Sequence, residues 1–227
     1  MTTGTARASA AMTPTLVLVF VALGAAINAV GGYATTLTGL PLFLDAIGTC
    51  LVALVLGPIP GALTAILTGV VLVPVSGPGN LAFAVVGVGA AVTWGIGVRQ
   101  LHLGRTPARY FGLNLLVVLV VSILATPIVL WLFGGGTGHP SDVITAAFAR
   151  LGPWGAVFAD NLLVNLVDKV FTGYIALAAV RALPPTLIQG GAELPGEGKR
   201  WVIVTATGIV IGGVLLMALL ALRSAGA

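Results

Sequence analysis

Long apolar runs, separated by short breaks rich in glycine, proline or charge, make up most of the chain. Residues 113–132 are mostly apolar at odd and even positions alike, whereas a strand of a membrane barrel alternates over about 10 positions. The runs are therefore predicted to be helices. Apolar length and glycine or proline punctuation predict seven spans, near residues 14–33, 41–57, 60–75, 80–98, 110–133, 154–182 and 201–222.

The predicted fold is all-α, a polytopic membrane helical bundle in four parts. These are a cytoplasmic N-terminal tail (1–13), a six-helix membrane core (14–184), a cytoplasmic linker rich in Pro, Gly and Glu (185–200), and one extra C-terminal transmembrane helix with a short tail (201–227). Arg7 before the apolar run could belong to a cleavable signal peptide. Because the run reaches about Val30, longer than a typical signal core, we expect a permanent first helix.

The composition agrees with lipid as the main solvent. Hydrophobic residues make up 58% of the chain and charged residues 7%, and the mean hydropathy is +1.14. A soluble domain carries about 25% charged residues, so this chain has too little polar surface to cover a globule in water. The formal net charge of +4 comes from basic residues that stand singly or in short clusters beside apolar runs. We interpret them as topology signals and expect no nucleic-acid partner.

The basic residues predict an orientation in the plasma membrane. With a cytoplasmic N-terminus, seven Lys or Arg fall in inner segments and two in outer ones. The inner set is Arg7, Arg99, Arg105, Arg109, Arg181, Lys199 and Arg200, and the outer set is Arg150 and Arg223. Because cytoplasmic loops are enriched in Lys and Arg, this bias favours the N-terminus inside.

Polar residues inside the predicted spans are the candidate functional groups, because each costs several kcal/mol in lipid unless it is satisfied. The sixth span carries four of them on one helical face, at i, i+4, i+7 and i+11: Asn161, Asn165, Asp168 and Thr172. Asp160 and Lys169 flank this face. Two interpretations stay open: an ion pair at Lys169 that only locks helices together, or the polar wall of a ligand cavity.

Two further residues favour a cavity in the outer half of the membrane. Asp45 lies near the start of the second span, and Asn80 follows the Pro- and Gly-interrupted end of the third, a pattern that often borders a substrate site. Asn161 and Asn165 carry donors and acceptors without charge and suit a neutral, heteroatom-rich ligand. The predicted substrate-binding residues are Asp45, Asn80, Asn161, Asn165, Asp168 and Lys169.

Small residues spaced four apart mark candidate helix interfaces. On the first span two such pairs occur, Ala22 with Ala26 and Ala25 with Ala29, and on the last span Gly208 pairs with Gly212. Asn28 adds a possible hydrogen bond at depth. The segment that starts at Ser141, a good N-cap residue, predicts a short helix at the outer surface.

Motifs for catalysis or metal binding are missing from the sequence. It has no phosphate-binding P-loop, no G-x-S-x-G and no H-E-x-x-H, and Cys50 is its single cysteine. His102 and His139 fall in different predicted loops. We therefore expect no enzyme activity, no cofactor and no metal, and ATP hydrolysis for any transport would have to come from another protein.

Two stretches carry a family resemblance that covers roughly residues 14–184. Residues 39–49 (GLPLFLDAIGT), followed by 56–58 (LGP) and 61–62 (GA), are similar to the substrate-binding S components of energy-coupling factor (ECF) vitamin transporters. Residues 161–169, with the apolar run to Leu183 and Pro184, resemble the same family. The extra span after residue 200 departs from its pattern.

The resemblance implies a compact six-helix protein that captures a vitamin or related micronutrient from the outer side. Its implied partners are the lipid bilayer, the small-molecule substrate, a transmembrane coupling subunit and two cytoplasmic ATPase subunits. An A-x-x-x-A pattern on the first helix would contact the coupling subunit, and Ala22 with Ala26, or Ala25 with Ala29, matches it. The alternative is a membrane sensor or assembly module without a transported ligand, in which the last helix would be a pairing element.

Overall fold

The computed structural model describes residues 13–189, 191–194, 203–214 and 221, and the regular elements in these ranges are all helical. Four stretches are long and apolar enough to cross a membrane: Pro14–Thr38, Pro78–Arg99, Pro107–Phe133 and Ala149–Ala182. The chain is therefore an all-helical, multi-pass membrane protein.

Nine α-helices follow one another along the described chain: α1 (Pro14–Thr38), α2 (Ile47–Leu56), α3 (Pro58–Val71), α4 (Val73–Ser76), α5 (Ala84–Arg99), α6 (Pro107–Phe133), α7 (Asp142–Ala147), α8 (Gly152–Ala182) and α9 (Ile203–Val214). Short 3-10 helices cover Pro78–Phe83, Ala149–Leu151 and Pro185–Leu187. At 10 and 14 residues, α2 and α3 are too short to count as spans by length alone. The seven-span map stays a prediction.

Local signals set the ends of the long helices. The Thr13 hydroxyl accepts a hydrogen bond from the backbone N–H of Leu16 at 3.4 Å, and a proline follows as the first helical residue of α1. Thr106 caps α6 in the same way. Both helices end at a glycine with positive φ, Gly39 at 63° and Gly134 at 66°, a conformation in which other residues are strained.

The first three helices pack around a close contact between α1 and α2. A Cβ on Gly48 would lie 2.0 Å from the carbonyl oxygen of Gly24, so the two backbones touch. Asn28, fully buried on α1, accepts hydrogen bonds from the N–H groups of Gly48 at 2.7 Å and Thr49 at 3.4 Å. Those groups lie in the first turn of α2, whose own cap residue makes no side-chain cap bond. Asn28 therefore caps α2 from a neighbouring helix.

The bundle has two chemically different ends. Segments 39–46, 72–83 and 134–151 lie at one end, called here the cavity end, and Arg150 is the one Lys or Arg that they contain. Segments 100–106, 183–189 and 191–194 lie at the other, called here the arginine end, together with Arg99 and Arg181 at the ends of α5 and α8. Arg99 donates to the carbonyl oxygens of Ala53 at 2.7 Å and Leu54 at 3.0 Å, and so covers the last turn of α2.

The described part of the predicted linker lies against the arginine end of the bundle. The Gln189 N–H donates to the carbonyl oxygen of Val55 at 2.8 Å, and the Glu193 N–H donates to that of Val98 at 3.1 Å. The Glu193 carboxylate also pairs with Arg105. Residues 195–200 lie outside the described residues. The near part of the linker therefore lies across the ends of α2 and α5 and the segment before α6, and residues 188–189 and 191–194 are named the strap below.

The last described helix packs against α8. A Cβ on Gly208 would lie 2.2 Å from the Tyr174 ring, and one on Gly212 would lie 2.9 Å from the Phe171 ring. The two glycines of α9 thus receive aromatic side chains of the same chain. The four-residue spacing of Gly208 and Gly212 therefore serves packing of α9 on α8 within the same chain.

Candidate functional site

A cavity of about 440 Å³ lies inside the cavity end of the bundle. Helices α1, α2, α3, α5, α6 and α8 all contribute to its wall, and the segments around Phe43 and His139 contribute at its mouth. Pockets for small molecules typically measure about 300–1,000 Å³. The space therefore fits a small organic molecule.

Five of the six residues predicted to bind substrate line this cavity: Asp45, Asn80, Asn161, Asn165 and Lys169. They come from three separate regions of the chain, and the fold brings them to one space. The sixth, Asp168, is fully buried behind Lys169 and is not among the lining residues.

Asp168 holds the segment between α1 and α2. Its Oδ1 accepts hydrogen bonds from the backbone N–H groups of Phe43 at 3.2 Å and Leu44 at 2.8 Å. The predicted second span began at residue 41, but α2 begins at Ile47, because residues 43 and 44 give their N–H groups to this carboxylate instead of to a helix. Asp45 reaches the cavity from this non-helical segment.

Lys169 connects Asp168 to the cavity. Its Nζ lies 2.5 Å from Asp168 Oδ2 and 5.9 Å from the centre of the Phe43 ring, a cation–π contact. The side chain is almost completely buried. Asp168 and Lys169 thus form the buried ion pair of the first interpretation. Removing either residue would leave the other as an uncompensated buried charge.

The two asparagines are arranged differently. Asn161 Nδ2 donates to the Thr126 hydroxyl at 3.3 Å, and Asn165 Nδ2 donates to the Ser122 hydroxyl at 3.4 Å, both on α6. No described donor bonds to either amide oxygen. Because both residues line the cavity, these oxygens are the acceptors that the polar face of α8 can offer to a ligand.

Residues 137–148 form a cover at the cavity end of the bundle, and residues 137–142 of this cover line the cavity. Asp160 Oδ2 accepts hydrogen bonds from the hydroxyls of Thr145 at 2.8 Å and Ser141 at 3.4 Å, and so ties this cover to α8. The predicted surface helix is α7, but Ser141 makes no cap bond because its hydroxyl is directed to Asp160. The ring of His139 stacks on Phe43 with 4.8 Å between centres and joins the cover to the α1–α2 segment.

The covering residues and the α6 hydroxyls belong to the site but are not among the residues predicted from the sequence. Ser122 and Thr126 carry a weak signal, an i, i+4 pair of hydroxyls inside an apolar helix. The apolar part of the wall includes Phe83 and Phe133, whose rings stack 5.7 Å apart. This ring contact joins the 3-10 helix Pro78–Phe83 to the end of α6. Local sequence patterns do not predict a contact between segments so far apart in the chain.

The two alanine pairs on α1 have different surroundings. Ala22 and Ala26 are exposed on the outer face of α1, whereas Ala25 is only 1% exposed and Ala29 is half-buried. Of the two, only the first pair presents both members on the surface. It is the pair available to another protein.

The described residues offer no group of three or more His, Cys, Asp or Glu side chains placed to hold a metal ion. Ser141, His139 and Asp160 lie together: the Ser141 backbone nitrogen lies 3.2 Å from His139 Nδ1, and the Ser141 hydroxyl lies 3.1 Å from the same ring nitrogen. Comparison of the chain with protein-family models, curated proteins and solved structures finds no match.

Proposed function

We propose that this chain is the membrane-embedded substrate-capture subunit of an ECF-type uptake transporter for a vitamin or related micronutrient, energised by separate ATPase subunits. The observation that carries the proposal is the cavity of about 440 Å³, lined in part by polar and charged side chains, inside a largely apolar bundle. Buried polar groups without partners are costly in a membrane protein. Amide oxygens kept open on Asn161 and Asn165 are best explained by a ligand that hydrogen-bonds to them.

The charge distribution supports capture from outside the cell. The arginine end carries Arg99, Arg105, Arg109 and Arg181, whereas the described segments of the cavity end carry Arg150 alone. By the positive-inside rule the arginine end faces the cytoplasm and the cavity opens outward. Because α1 begins at the arginine end, the N-terminus is cytoplasmic.

The helix surfaces support a six-helix core that docks on a coupling subunit. Ala22 and Ala26 leave a shallow, exposed strip on α1 where another helix can approach closely. The extra helix α9 packs on α8 through Gly208 and Gly212, so it leaves this strip uncovered. The same packing weakens the alternative of a sensor or assembly module, since the glycine pair that favoured it already has its partner within the chain.

The proposal is tested by ligand retention. The purified parent, Asn161→Ala and Asn165→Ala are extracted, and small molecules enriched over a mock purification are identified by mass spectrometry. We expect an enriched molecule in the parent, at least tenfold less of it in both variants, and near-normal thermal stability of both.

Thr93→Ala is the matched control, because Thr93 lies on α5 away from the cavity and donates to Gly89 of its own helix at 2.7 Å. It should retain the molecule. If both asparagine variants retain it as the parent does and instead lose stability, the polar face of α8 serves helix packing and the proposed site is wrong.

A further inference from the structure

The charged groups around the cavity do not balance. Three carboxylates line it, those of Asp45, Asp142 and Asp160, and Asp168 lies directly behind. The lining contains one lysine, Lys169, and no arginine. The wall of this membrane-embedded space therefore holds more carboxyl groups than Lys or Arg side chains.

Most of these carboxylates already have partners. Asp168 is paired with Lys169. Burial raises the pKa of the Asp45 carboxyl, and the positive charge of Lys169 partly opposes this rise. The oxygens of Asp142 accept hydrogen bonds from the backbone N–H groups of Thr137 at 3.3 Å and Gly138 at 2.7 Å, so this carboxylate holds the covering segment together.

Asp160 is only half satisfied, because its Oδ2 accepts from the hydroxyls of Thr145 and Ser141 but its other oxygen has no described donor. Asp160 is only 7% exposed, and its Oδ1 is buried with no hydrogen-bond partner among the described residues. No described cationic side chain lies within 4 Å of it. Lys169 is nine residues further along α8, which corresponds to about 13 Å at 1.5 Å per residue. A buried carboxylate in this position lacks a counter-charge that a bound molecule can supply.

The kind of cation follows from the neighbouring groups. A divalent metal ion needs several carboxylate or imidazole ligands, and the described residues provide no group of three. The cavity does offer aromatic and aliphatic wall, including Phe83 and Phe133, and the amide oxygen of Asn161. These surroundings fit an organic ammonium group attached to a larger, partly apolar body.

We infer that the ligand of this cavity carries an organic cation, whose charged group binds Asp160 beneath the cover formed by residues 137–148. The uncharged polar part of the ligand contacts Asn161 and Asn165, and its apolar part lies toward Phe83 and Phe133. This inference rests on the proposed function and narrows its substrate class to cationic molecules, whereas the amide pair alone pointed to a neutral ligand.

Three indole compounds that differ only in the end group of an ethyl side chain provide the test: tryptamine, a cation; tryptophol, neutral; and indole-3-propionate, an anion. Thermal stabilisation of the purified protein in detergent is measured as a function of the concentration of each. We expect tryptamine to stabilise the parent at a concentration at least tenfold lower than the other two. Asp160→Asn should abolish this preference, and Glu193→Gln, which removes a carboxylate from the arginine end of the bundle, should keep it.

The molecules that co-purify with the parent separate this inference from the proposed function. An enriched molecule that is cationic at pH 7 supports both, whether or not the indole compounds bind. An enriched neutral or anionic molecule that is lost in Asn161→Ala overturns the cationic ligand and leaves the capture function standing. If no molecule is enriched and no indole compound stabilises the protein, both are overturned. An amine preference that survives in Asp160→Asn overturns the role of Asp160.

Discussion

The carboxylate of Asp168 accepts a hydrogen bond from the backbone N–H of Leu44 at 2.8 Å, although 124 residues separate the two in the chain. Leu44 has a φ of 47°, in the left-handed region that non-glycine residues rarely adopt. The hydrogen bond holds Leu44 in this conformation, and the turn carries Asp45 to the cavity. Asp168 therefore positions the ligand site without lining it.

Asp168→Ala should destabilise the protein more than Lys169→Ala. The first removes an acceptor of two backbone N–H groups and strands a buried ammonium, at a cost of roughly 3–5 kcal/mol. The second leaves Asp168 with both backbone donors. Thermal and denaturant unfolding in detergent measures the difference. Thr172→Val is the control on the same helix, because the Thr172 hydroxyl is buried without a partner and its loss should cost nothing. Equal losses at Asp168 and Lys169 would contradict the positioning role.

Gly48→Ala should separate α1 from α2, because its Cβ would lie 2.0 Å from the Gly24 carbonyl oxygen. Forcing a methyl group into a packed core costs about 1–3 kcal/mol or more. Gly112→Ala on α6 is the matched control, since a Cβ there meets no atom within 4 Å, and it should stabilise by about 0.5–1 kcal/mol. The melting temperatures of the two variants check this. A Gly48→Ala variant as stable as Gly112→Ala would mean that the helices do not touch at this point.

Ala22→Leu and Ala26→Leu should fold normally but fail to recruit a coupling subunit, because both positions face outward and the added bulk prevents close helix approach. Ala25→Leu, by contrast, should impair folding. Ala25 is only 1% exposed, so leucine there should lower the melting temperature. Co-purification with a coexpressed coupling subunit and its ATPases measures the first effect. Normal recovery of the partners by correctly folded Ala22→Leu and Ala26→Leu would move the docking surface elsewhere.

Arg109→Cys and Arg150→Cys should be labelled from opposite sides of the membrane. Both positions are exposed, and they lie at the arginine end and the cavity end respectively. In a Cys50→Ala background, an impermeant thiol reagent added to whole cells should label Arg150→Cys alone, and Arg109→Cys should react only after lysis. Cys50 is the single native cysteine, so the Cys50→Ala background has no competing thiol. Labelling of Arg109→Cys in whole cells would reverse the proposed orientation.

The strap should detach at acidic pH. Hydrogen bonding from Arg105 lowers the pKa of the Glu193 carboxyl below its usual 4.5. A carboxyl whose pKa is depressed by folding stabilises the folded form above its unfolded pKa and loses this contribution as pH falls through the folded value. The protection factor of the Glu193 amide, which is bonded to Val98, is its exchange rate relative to the intrinsic rate at the same pH, and it should therefore fall below about pH 4.5. Glu193→Gln should show low protection already at neutral pH and little further change.

The sequence alone determined the class of the fold and one face of the site. Long apolar runs require every backbone group to bond within its own segment, and that restricts this chain to helices. The period of the helix then places Asn161, Asn165 and Asp168 on one side of α8, whatever the neighbouring helices are. These conclusions depend only on local geometry and on the cost of polar groups in lipid.

Tertiary packing decided what each of those residues does. Periodicity cannot distinguish Asp168, which bonds to Leu44, from Asn165, which lines the cavity, because the distinction comes from partners far along the chain. For the same reason, periodicity could not predict which alanine pair of α1 is exposed, Ala22 with Ala26 or Ala25 with Ala29. Burial depends on which side of α1 meets α2 and α3, and the contact of Gly24 with Gly48 fixes that side. A helix sequence specifies which residues share a face, but only the packed bundle determines what the face meets.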